Sequence, residues 1–298
     1  MIENFISEYE YYKDASLKKH NTYRIDAACN YLIYPKDTNE LISLINRLKE
    51  YDIKYIILGN GSNVILAKPV YDVVIKLDRL NNITIKDNIV EAEAGVSLIY
   101  LSSICMKNGL DLSFAGGIPG QVGASTAMNA GAYKEDLGMY VKEVEVITPE
   151  LEVKTLSHDE LDFNYRDSFL KRNKDYICIK TTFEIKPLNK EEIKRKMEDR
   201  RSRRIASQPL DMPSAGSVFR NPDGLSAGKL IEDIGLKGFV HGGAKISDKH
   251  ANFIVNERYA TAFDIVSLID YVKDRVKIEY NIDLLLEQEI VRWLYDRC

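Results

Sequence analysis

The hydrophobic residues of this chain recur at two spacings, which predict both helices and strands. Between positions 41 and 48 they recur at helical intervals, and Asp37 and Glu40 before them are spaced as a capping pair. Residues 55–58 form an apolar run that predicts a short buried strand, and this run passes directly into a glycine loop at 59–63. The early part of the chain therefore predicts a helix, a strand and a polar glycine loop.

The later parts of the chain continue both patterns. Alternating apolar positions predict strands at 90–94, 141–147 and 176–185, while helical spacing predicts a charged helix at 190–204 and a long helix at 262–280. Further strands are predicted at 251–255 and near 284–291. Helices and strands are mixed without an internal repeat, so the fold class predicted is α+β.

Composition narrows the class of protein. A chain of 298 residues that is 45% hydrophobic is too long for one compact core, and two or three domains are expected. The net charge of -4 argues against a general nucleic-acid binder, which needs a basic excess. No stretch approaches the ~20 apolar residues that span a bilayer, so no membrane insertion is expected. Neither the histidines nor the dispersed cysteines have metal-ligand spacing, which predicts no metal site and free cytosolic thiols at Cys29, Cys105, Cys178 and Cys298.

Two glycine-rich segments carry the clearest candidate chemistry. The segments at 59–63 and 116–125 can each present several backbone N–H groups to one point, which suits a pyrophosphate without the help of lysine or arginine. Such segments also form ordinary tight turns, and this alternative stays open on the residues alone. Neither segment is a GxGxxG fingerprint or a P-loop, which disfavours a Rossmann dehydrogenase or an ATPase.

Several strings along almost the whole chain resemble one family. They are Leu58-Gly59-Asn60-Gly61-Ser62-Asn63, the run from Gly117-Ile118-Pro119-Gly120 to Ala132-Tyr133, Asn164-Tyr165-Arg166-Asp167-Ser168, and Ala215-Gly216-Ser217-Val218-Phe219-Arg220-Asn221-Pro222. With these strings the chain resembles the UDP-N-acetylenolpyruvoylglucosamine reductases (MurB, UDP-N-acetylmuramate dehydrogenases), in their type II branch.

The resemblance implies a fold and its cofactors. The fold would be a vanillyl-alcohol-oxidase (PCMH-type) FAD-binding module of two subdomains, at 1–80 and 81–188, followed by an α+β substrate-binding domain at 189–298. FAD would be held non-covalently and reduced by NADPH. The positions that the family pattern assigns to FAD are Gly59, Asn60, Gly61, Ser62, Asn63, Gly117, Ile118, Pro119, Gly120, Gly123, Ala124 and Ser125. Ala124 stands where the family commonly has glycine, which would restrict the backbone angles there.

The resemblance also implies catalytic roles. Arg166 and Glu289 would hold the negative charge that develops on the carboxylate of the substrate, and Ser217 would deliver a proton to the adjacent carbon. The family commonly has proline where this chain has Gln288, so Glu287 is an alternative to Glu289. Contacts to the substrate diphosphate are implied for Arg220, Asn221 and Lys229.

Plainer roles compete with these. Ser217 could cap a turn, and Arg166 could form an exposed ion pair with Asp167. The arginines at 200–204 are interpreted as a solvated helix end or a linker face, with contact to substrate phosphates as the alternative. The function implied is reduction of a UDP-linked enolpyruvyl sugar for peptidoglycan synthesis, and thus for cell shape and division, by a cytoplasmic monomer. The alternatives are another flavin oxidoreductase on the same module, such as an oxidase of small alcohols, and a nucleotide-sugar sensor without turnover.

Overall fold

The computed structural model describes residues 2–292 and contains both helices and strands. Within that range the helices range from one-turn pieces to a helix of 19 residues. They are α1 Thr38–Glu50, α2 Leu98–Lys107, α3 Val122–Ala127, α4 His158–Leu161, α5 Phe169–Arg172, α6 Lys190–Ser207, α7 Ala227–Asp233 and α8 Ala262–Tyr280. None of these helices is long and apolar enough to cross a membrane.

The strands of the described residues are mostly short. They are β1 Glu10–Ser16, β2 Ala28–Tyr34, β3 Tyr55–Ile57, β4 Val64–Leu66, β5 Val70–Ile75, β6 Ile83–Lys86, β7 Ile89–Glu93, β8 Gly131–Ala132, β9 Glu135–Asp136, β10 Val141–Ile147, β11 Val153–Ser157, β12 Ile177–Glu184, β13 Val240–His241, β14 Ala244–Ile246, β15 Ile254–Asn256 and β16 Glu289–Val291. With the helices they confirm the predicted α+β class.

The strands pair into sheets of different size. A five-stranded sheet has the order β11-β10-β12-β7-β6, and its pairs are antiparallel. A four-stranded sheet has the order β1-β2-β5-β3, in which β3 and β5 are parallel. Smaller sheets comprise β13-β14-β15, β8-β9, and the parallel pair of β16 with β4.

The chain forms two compact units, each discontinuous in sequence. Unit 1 comprises residues 1–13, 31–59 and 72–202, and unit 2 comprises residues 14–30, 60–71 and 203–298. The chain passes from one unit to the other five times. Residues that are distant in sequence are therefore neighbours inside one unit.

Unit 1 contains two hydrophobic cores. In the first, α1 buries Leu41 and Leu48 among residues of β2, β3 and β5. The helix begins where the sequence predicts, because the Asp37 side chain accepts a hydrogen bond from the Glu40 N–H at 2.8 Å. The second core, which includes Val90, Phe114 and Phe183, lies on the five-stranded sheet. Each core buries the apolar face that its elements' spacing predicts.

Unit 2 has a single core built from its three chain segments. Tyr23, Ile65 and Phe219 are each at most 1% exposed and belong to this core together with the buried face of α8. The long helix begins and ends as predicted, with a capping box at Thr261 and a left-handed Asn281 after its last turn. Residues of the early segments are therefore buried in the same core as the late part of the chain.

Two predicted strands are shorter than the sequence indicates. The strand predicted at 251–255 is β15, which begins at residue 254, and only residues 289–291 of the strand predicted near 284–291 pair with β4. Leu286, in the part before β16, forms only an isolated bridge with Phe219. An apolar pattern indicates burial, and Leu284 and Leu286 pack on the core of unit 2 without pairing along a neighbouring strand.

The three described cysteines, Cys29, Cys105 and Cys178, are free and buried, while Cys298 lies outside the described residues. Burial raises the pKa of each of these three thiols to about 12. They are therefore neutral at physiological pH and pack as small apolar groups.

Candidate active site

The two glycine segments meet inside unit 1 at Gly59. A Cβ atom added to Gly59 would lie 3.2 Å from the Cβ of Ala124, so the start of the first segment packs against the second. The Gly59 carbonyl accepts a 2.6 Å hydrogen bond from Lys76 Nζ, which also lies 3.3 Å from Asp78 Oδ1. Gln121 Nε2 donates to Asp78 Oδ1 at 2.6 Å. A chain of polar contacts through Lys76 and Asp78 therefore joins Gly59 to Gln121 of the second segment.

Lys76 is a buried cation, with 3% of its side chain exposed. Burial lowers its pKa, and the Asp78 carboxylate opposes that shift by stabilising the charged form. Neither residue was predicted from the sequence, because a lysine and an aspartate at the end of an apolar strand resemble ordinary surface positions. In the structure Lys76 fixes the carbonyl of Gly59.

The second segment is tightly packed at its glycines. A Cβ atom at Gly120 would lie 2.2 Å from Ser125 Oγ, and one at Gly123 would lie 2.7 Å from the Cβ of Ala94. Ala124 lies in the middle of α3, a regular helix, so its methyl group does not strain the backbone. The narrower range of backbone angles open to alanine is therefore compatible with the helical conformation at this position.

Gly61 of the first segment belongs to unit 2 and has no room for a side chain. Its φ is +62°, and an added Cβ would lie 2.3 Å from the carbonyl oxygen of His20. The Gly61 carbonyl accepts hydrogen bonds from the backbone N–H and the hydroxyl of Thr22, at 3.1 and 3.2 Å. These hydrogen bonds hold the loop against residues 14–30, the first segment of unit 2.

Replacing Gly61 with alanine is expected to destabilise the protein by about 3 kcal/mol, since a left-handed conformation and a steric overlap both add cost. Gly224→Ala is the matched control, because Gly224 has a similar φ of +70° but nothing within 4 Å of an added Cβ. The control isolates the backbone term, about 1 kcal/mol. Urea unfolding followed by circular dichroism measures both, and equal losses would show that the clash with His20 is relieved at no cost.

Arg166 lies in a tight turn of unit 1. Asn164 and Asp167 exchange backbone hydrogen bonds at 3.0 and 3.1 Å around it, and its φ is +55°. The guanidinium donates to the carbonyls of Gly131, at 2.6 Å, and Asn129, at 3.4 Å. These contacts hold the half-buried guanidinium against the end of the second glycine-rich run.

The neighbouring residues of Arg166 support the turn. Asp167, directly after Arg166, pairs with Arg172. The buried Ser168 hydroxyl donates to the Ala127 carbonyl at 2.6 Å. Asn129, which the sequence analysis did not single out, donates from Nδ2 to the Asn164 carbonyl at 2.8 Å.

Ser217 and Glu289 both belong to unit 2, where hydrogen bonds join their neighbours. Gln288 Nε2 donates to the carbonyls of Ala215 and Gly216, at 3.1 and 3.2 Å. Ser217 therefore follows a turn that is bonded to the residue preceding Glu289. The next described helix after Ser217 is α7, which Ser226 caps, so Ser217 is not a helix cap.

The same cluster includes the first glycine loop. Asn63 Nδ2 donates to the Glu287 carbonyl at 3.0 Å, and the Glu289 N–H donates to the Asn63 carbonyl at 2.9 Å. A Cβ atom on Gly216 would lie 4.0 Å from the carbonyl oxygen of Ser62. The loop, the Ser217 turn and the two candidate glutamates are thus brought together within unit 2.

The three residues predicted to bind the substrate diphosphate differ in the hydrogen bonds and ion pairs that they form. The buried Nε of Arg220 has no hydrogen-bond partner among the residues that the structure describes. Asn221 Oδ1 accepts from the Ala227 N–H at 3.0 Å, at the start of α7. The exposed Lys229 pairs with Asp233 at 2.6 Å, and this hydrogen bond raises the pKa of Lys229.

The interpretation of the arginine cluster as a solvated helix end is wrong for Arg200. Its side chain, 17% exposed, pairs with Glu135 and donates from Nη1 to Ser113 Oγ at 3.0 Å. The guanidinium also lies 5.1 Å from the centre of the Tyr133 ring, whose hydroxyl donates to the Arg200 carbonyl. Charged residues dense in sequence can still face a polar neighbour within the fold.

Two family models match the chain. A model described as the C-terminal domain of UDP-N-acetylenolpyruvoylglucosamine reductase matches residues 208–292, and a model of an FAD binding domain matches residues 29–157. The first match covers Ser217 and Glu289, and the second covers both glycine segments.

Curated relatives match over nearly the full chain. A UDP-N-acetylenolpyruvoylglucosamine reductase of Caldanaerobacter subterraneus is 40% identical over 292 residues, covering 97% of this chain and 96% of that protein. A protein of the same name from Clostridium perfringens is 37% identical, covering 98% and 96%.

Solved structures show the same fold. The UDP-N-acetylenolpyruvylglucosamine reductase (MurB) of Thermus caldophilus superposes with a TM-score of 0.79 at 33% identity, over 95% of this chain and 99% of that one. The cholesterol oxidase of B. sterolicum has a TM-score of 0.50 at 19% identity, over 63% of this chain and 39% of that one, which is a likeness of fold alone. The predicted vanillyl-alcohol-oxidase type of FAD-binding fold is confirmed.

Proposed function

Because the chain belongs to the UDP-N-acetylenolpyruvoylglucosamine reductase family, we propose how its residues carry out that family's reaction. The reaction is the reduction of UDP-N-acetyl-3-O-(1-carboxyvinyl)-glucosamine to UDP-N-acetylmuramate, a precursor of peptidoglycan. The chain is an FAD-containing oxidoreductase, and NADPH is its reductant. The observation that carries the assignment of residues is the hydrogen-bonded cluster of the Ser217 turn, residues 287–289 and Asn63.

The residues of the two glycine segments fit the diphosphate of FAD. Their side chains are absent, small or neutral hydrogen-bonding groups, so a phosphate can approach the backbone N–H groups closely. The buried Lys76 ammonium at the Gly59 carbonyl adds positive charge behind the loop. The residues that would hold FAD are those predicted from the sequence, at 59–63 and at 117–120 and 123–125. Bound FAD would pass to the substrate the hydride that NADPH supplies.

Arg166 and Glu289 are assigned to the substrate carboxylate. Hydride addition to the terminal carbon of the enolpyruvyl group leaves negative charge on the neighbouring carbon, shared with this carboxylate. A guanidinium is permanently charged and can donate two hydrogen bonds to a carboxylate, and a protonated Glu289 can donate a further one. The turn at 164–167 supports this role, since it fixes the Arg166 guanidinium through backbone carbonyls.

Ser217 is assigned to protonation of that carbon. A hydroxyl is small enough to reach a carbon atom, but it is a weak acid, so its alkoxide must be stabilised or reprotonated nearby. The cluster in unit 2 supports the assignment, because it joins the Ser217 turn to the backbone of Glu287 and Glu289.

The substrate diphosphate is assigned to Arg220, with Asn221 and Lys229 nearby in sequence. The unpaired buried Nε of Arg220 supports this, because a buried N–H without an acceptor is costly and a phosphate oxygen would satisfy it. Lys229 would have to exchange its partner Asp233 for the phosphate.

The proposal also includes the division of the chain and its cellular setting. Three domains, at 1–80, 81–188 and 189–298, are part of the proposal. Most residues of each of the three cores come from one of these ranges, but Tyr23 and Ile65 of the first range belong to the core of unit 2. A cytoplasmic location is supported by the three buried free thiols. The protein is proposed to be a monomer, which sedimentation equilibrium tests.

A turnover assay tests the function. The purified protein is expected to be yellow, to release FAD on denaturation, and to oxidise NADPH only when the UDP-linked enolpyruvyl sugar is present. NADH and the corresponding sugar without UDP serve as comparisons. Colourless protein that takes up no added FAD, or NADPH oxidation that is equal with and without the sugar nucleotide, would contradict the proposal. Oxygen consumption with small alcohols instead would indicate an oxidase.

A further inference from the structure

Gln288 is a buried amide in an unusual place, between the two glutamates that compete for the catalytic role. It is 3% exposed and belongs to unit 2. Its Oε1 accepts a hydrogen bond from the Tyr23 hydroxyl at 3.0 Å. Its Nε2 donates to the two consecutive carbonyls of Ala215 and Gly216. Both ends of the amide are therefore engaged, which offsets the cost of burying it.

These contacts act on the turn that presents Ser217. Gly216 has a φ of +76°, and the nearest atom to an added Cβ is 4.0 Å away. A glycine in such open surroundings has wide backbone freedom, and no side chain of its own holds the turn. Gln288 restrains the two carbonyls that precede Ser217, so it limits the motion of the Ser217 backbone.

The backbone on either side of Gln288 is fixed independently. The Glu287 N–H donates to the Val218 carbonyl at 2.9 Å, and Asn63 bonds to both Glu287 and Glu289. The amide thus extends from a fixed segment of the backbone to the turn before Ser217. A displacement of the Ala215 and Gly216 carbonyls relative to this segment would stretch the hydrogen bonds of Gln288.

Tyr23 fixes the orientation of the amide. The ring is fully buried, and burial raises the pKa of its hydroxyl, which stays protonated and donates to Oε1. The Tyr23 carbonyl in turn accepts from Asn256 Nδ2 at 2.8 Å. Because the hydroxyl faces Oε1, the NH₂ group of Gln288 has to face the two carbonyls.

We propose that Gln288, held by Tyr23, is a positioning residue that sets the placement of the Ser217 hydroxyl relative to Glu289 and thereby the efficiency of substrate protonation. The proposal rests on the function proposed for Ser217. It concerns neither the binding of FAD nor its reduction, because the partners of the Gln288 side chain named above, Tyr23, Ala215 and Gly216, are not assigned to those steps.

The test compares two half-reactions of the holoenzyme by stopped flow: flavin reduction by NADPH, and flavin reoxidation by the UDP-linked enolpyruvyl sugar. Gln288→Met keeps the length of the side chain and removes its hydrogen bonds. It is expected to slow reoxidation roughly 30-fold, since a small displacement of a reacting group is costly. Reduction by NADPH should be unchanged, and the solvent deuterium isotope effect on reoxidation should increase as proton transfer becomes limiting.

Two further variants keep the test decisive. Tyr23→Phe removes only the hydroxyl and is expected to slow reoxidation by a smaller factor, which covers the case in which Gln288→Met fails to fold. Gln208→Met is the matched control, since Gln208 has a buried Oε1 without a partner in the described part of the chain. It should change neither half-reaction, while thermal unfolding reports the stability of all three.

The outcomes separate this proposal from the function on which it rests. If wild-type enzyme is not reoxidised by the sugar nucleotide, the proposed function is wrong. If wild type is reoxidised, but folded Gln288→Met and Tyr23→Phe enzymes behave like wild type or lose both half-reactions equally, the positioning role is overturned.

Discussion

Replacing Ser217 with alanine is expected to slow reoxidation of the reduced enzyme by the sugar nucleotide about a thousandfold, the scale of a lost general acid. Flavin reduction by NADPH should stay within about twofold of wild type, because that half-reaction involves no proton transfer from Ser217. The structure supports a local effect. The turn before Ser217 is held by hydrogen bonds from the Gln288 side chain to the carbonyls of Ala215 and Gly216, and alanine at position 217 leaves these bonds in place. Stopped-flow absorbance of the flavin measures both steps.

Ser214→Ala is the matched control for Ser217→Ala. Ser214 lies three residues earlier in the same segment and has no assigned contact with substrate. It should leave both half-reactions unchanged. Equal loss of the two half-reactions in Ser217→Ala would show that the serine supports the structure of the site and is not the proton donor.

Glu289→Gln is expected to slow reoxidation about a hundredfold, the lower end of the scale for loss of a group that transfers a proton. The amide keeps the size of the side chain and can still donate a hydrogen bond to the substrate carboxylate, but it cannot pass a proton to Ser217. Glu289 lies in β16 and its N–H donates to Asn63, so its backbone is fixed at the first glycine loop. Its effect should again be confined to the second half-reaction.

Glu287→Gln decides between the two glutamates. Glu287 lies two residues before Glu289, on the other side of the buried Gln288, and its N–H donates to Val218. It is expected to change reoxidation by less than about threefold, as a residue outside the transition state does. If Glu287→Gln slowed reoxidation more than Glu289→Gln, the catalytic role would belong to Glu287. Gln288 in place of the common proline would then have shifted the register of this segment.

The elements that could be predicted are those specified by neighbouring residues. The capping pair of Asp37 and Glu40 gives the start of α1, and Thr261 with Asp264 gives the start of α8. Strand ends were less predictable, because pairing partners determine them. Leu286 is apolar and follows the strand pattern, yet it has only the bridge to Phe219.

The sequence motifs of the candidate site could be predicted, but the hydrogen bonds that hold these motifs in place could not. The strings around Ser62, Arg166 and Ser217 identify the segments that carry the chemistry. The partners that hold these segments are far away in sequence, as Lys76 is from Gly59 and Tyr23 is from Gln288. Single polar residues of this kind have no local pattern, so only the folded chain identifies them.

The hydrogen bond between Tyr23 and Gln288 joins residues separated by 265 positions. A nascent chain leaves the ribosome from its N-terminus, so the segments at 14–30 and 60–71 emerge long before their partners in unit 2. Most other residues of the core that buries Tyr23 and Ile65 lie between positions 215 and 284, so these two side chains cannot be buried in it until that part of the chain has been translated. The core of unit 2 can therefore form only after most of the chain has been synthesised.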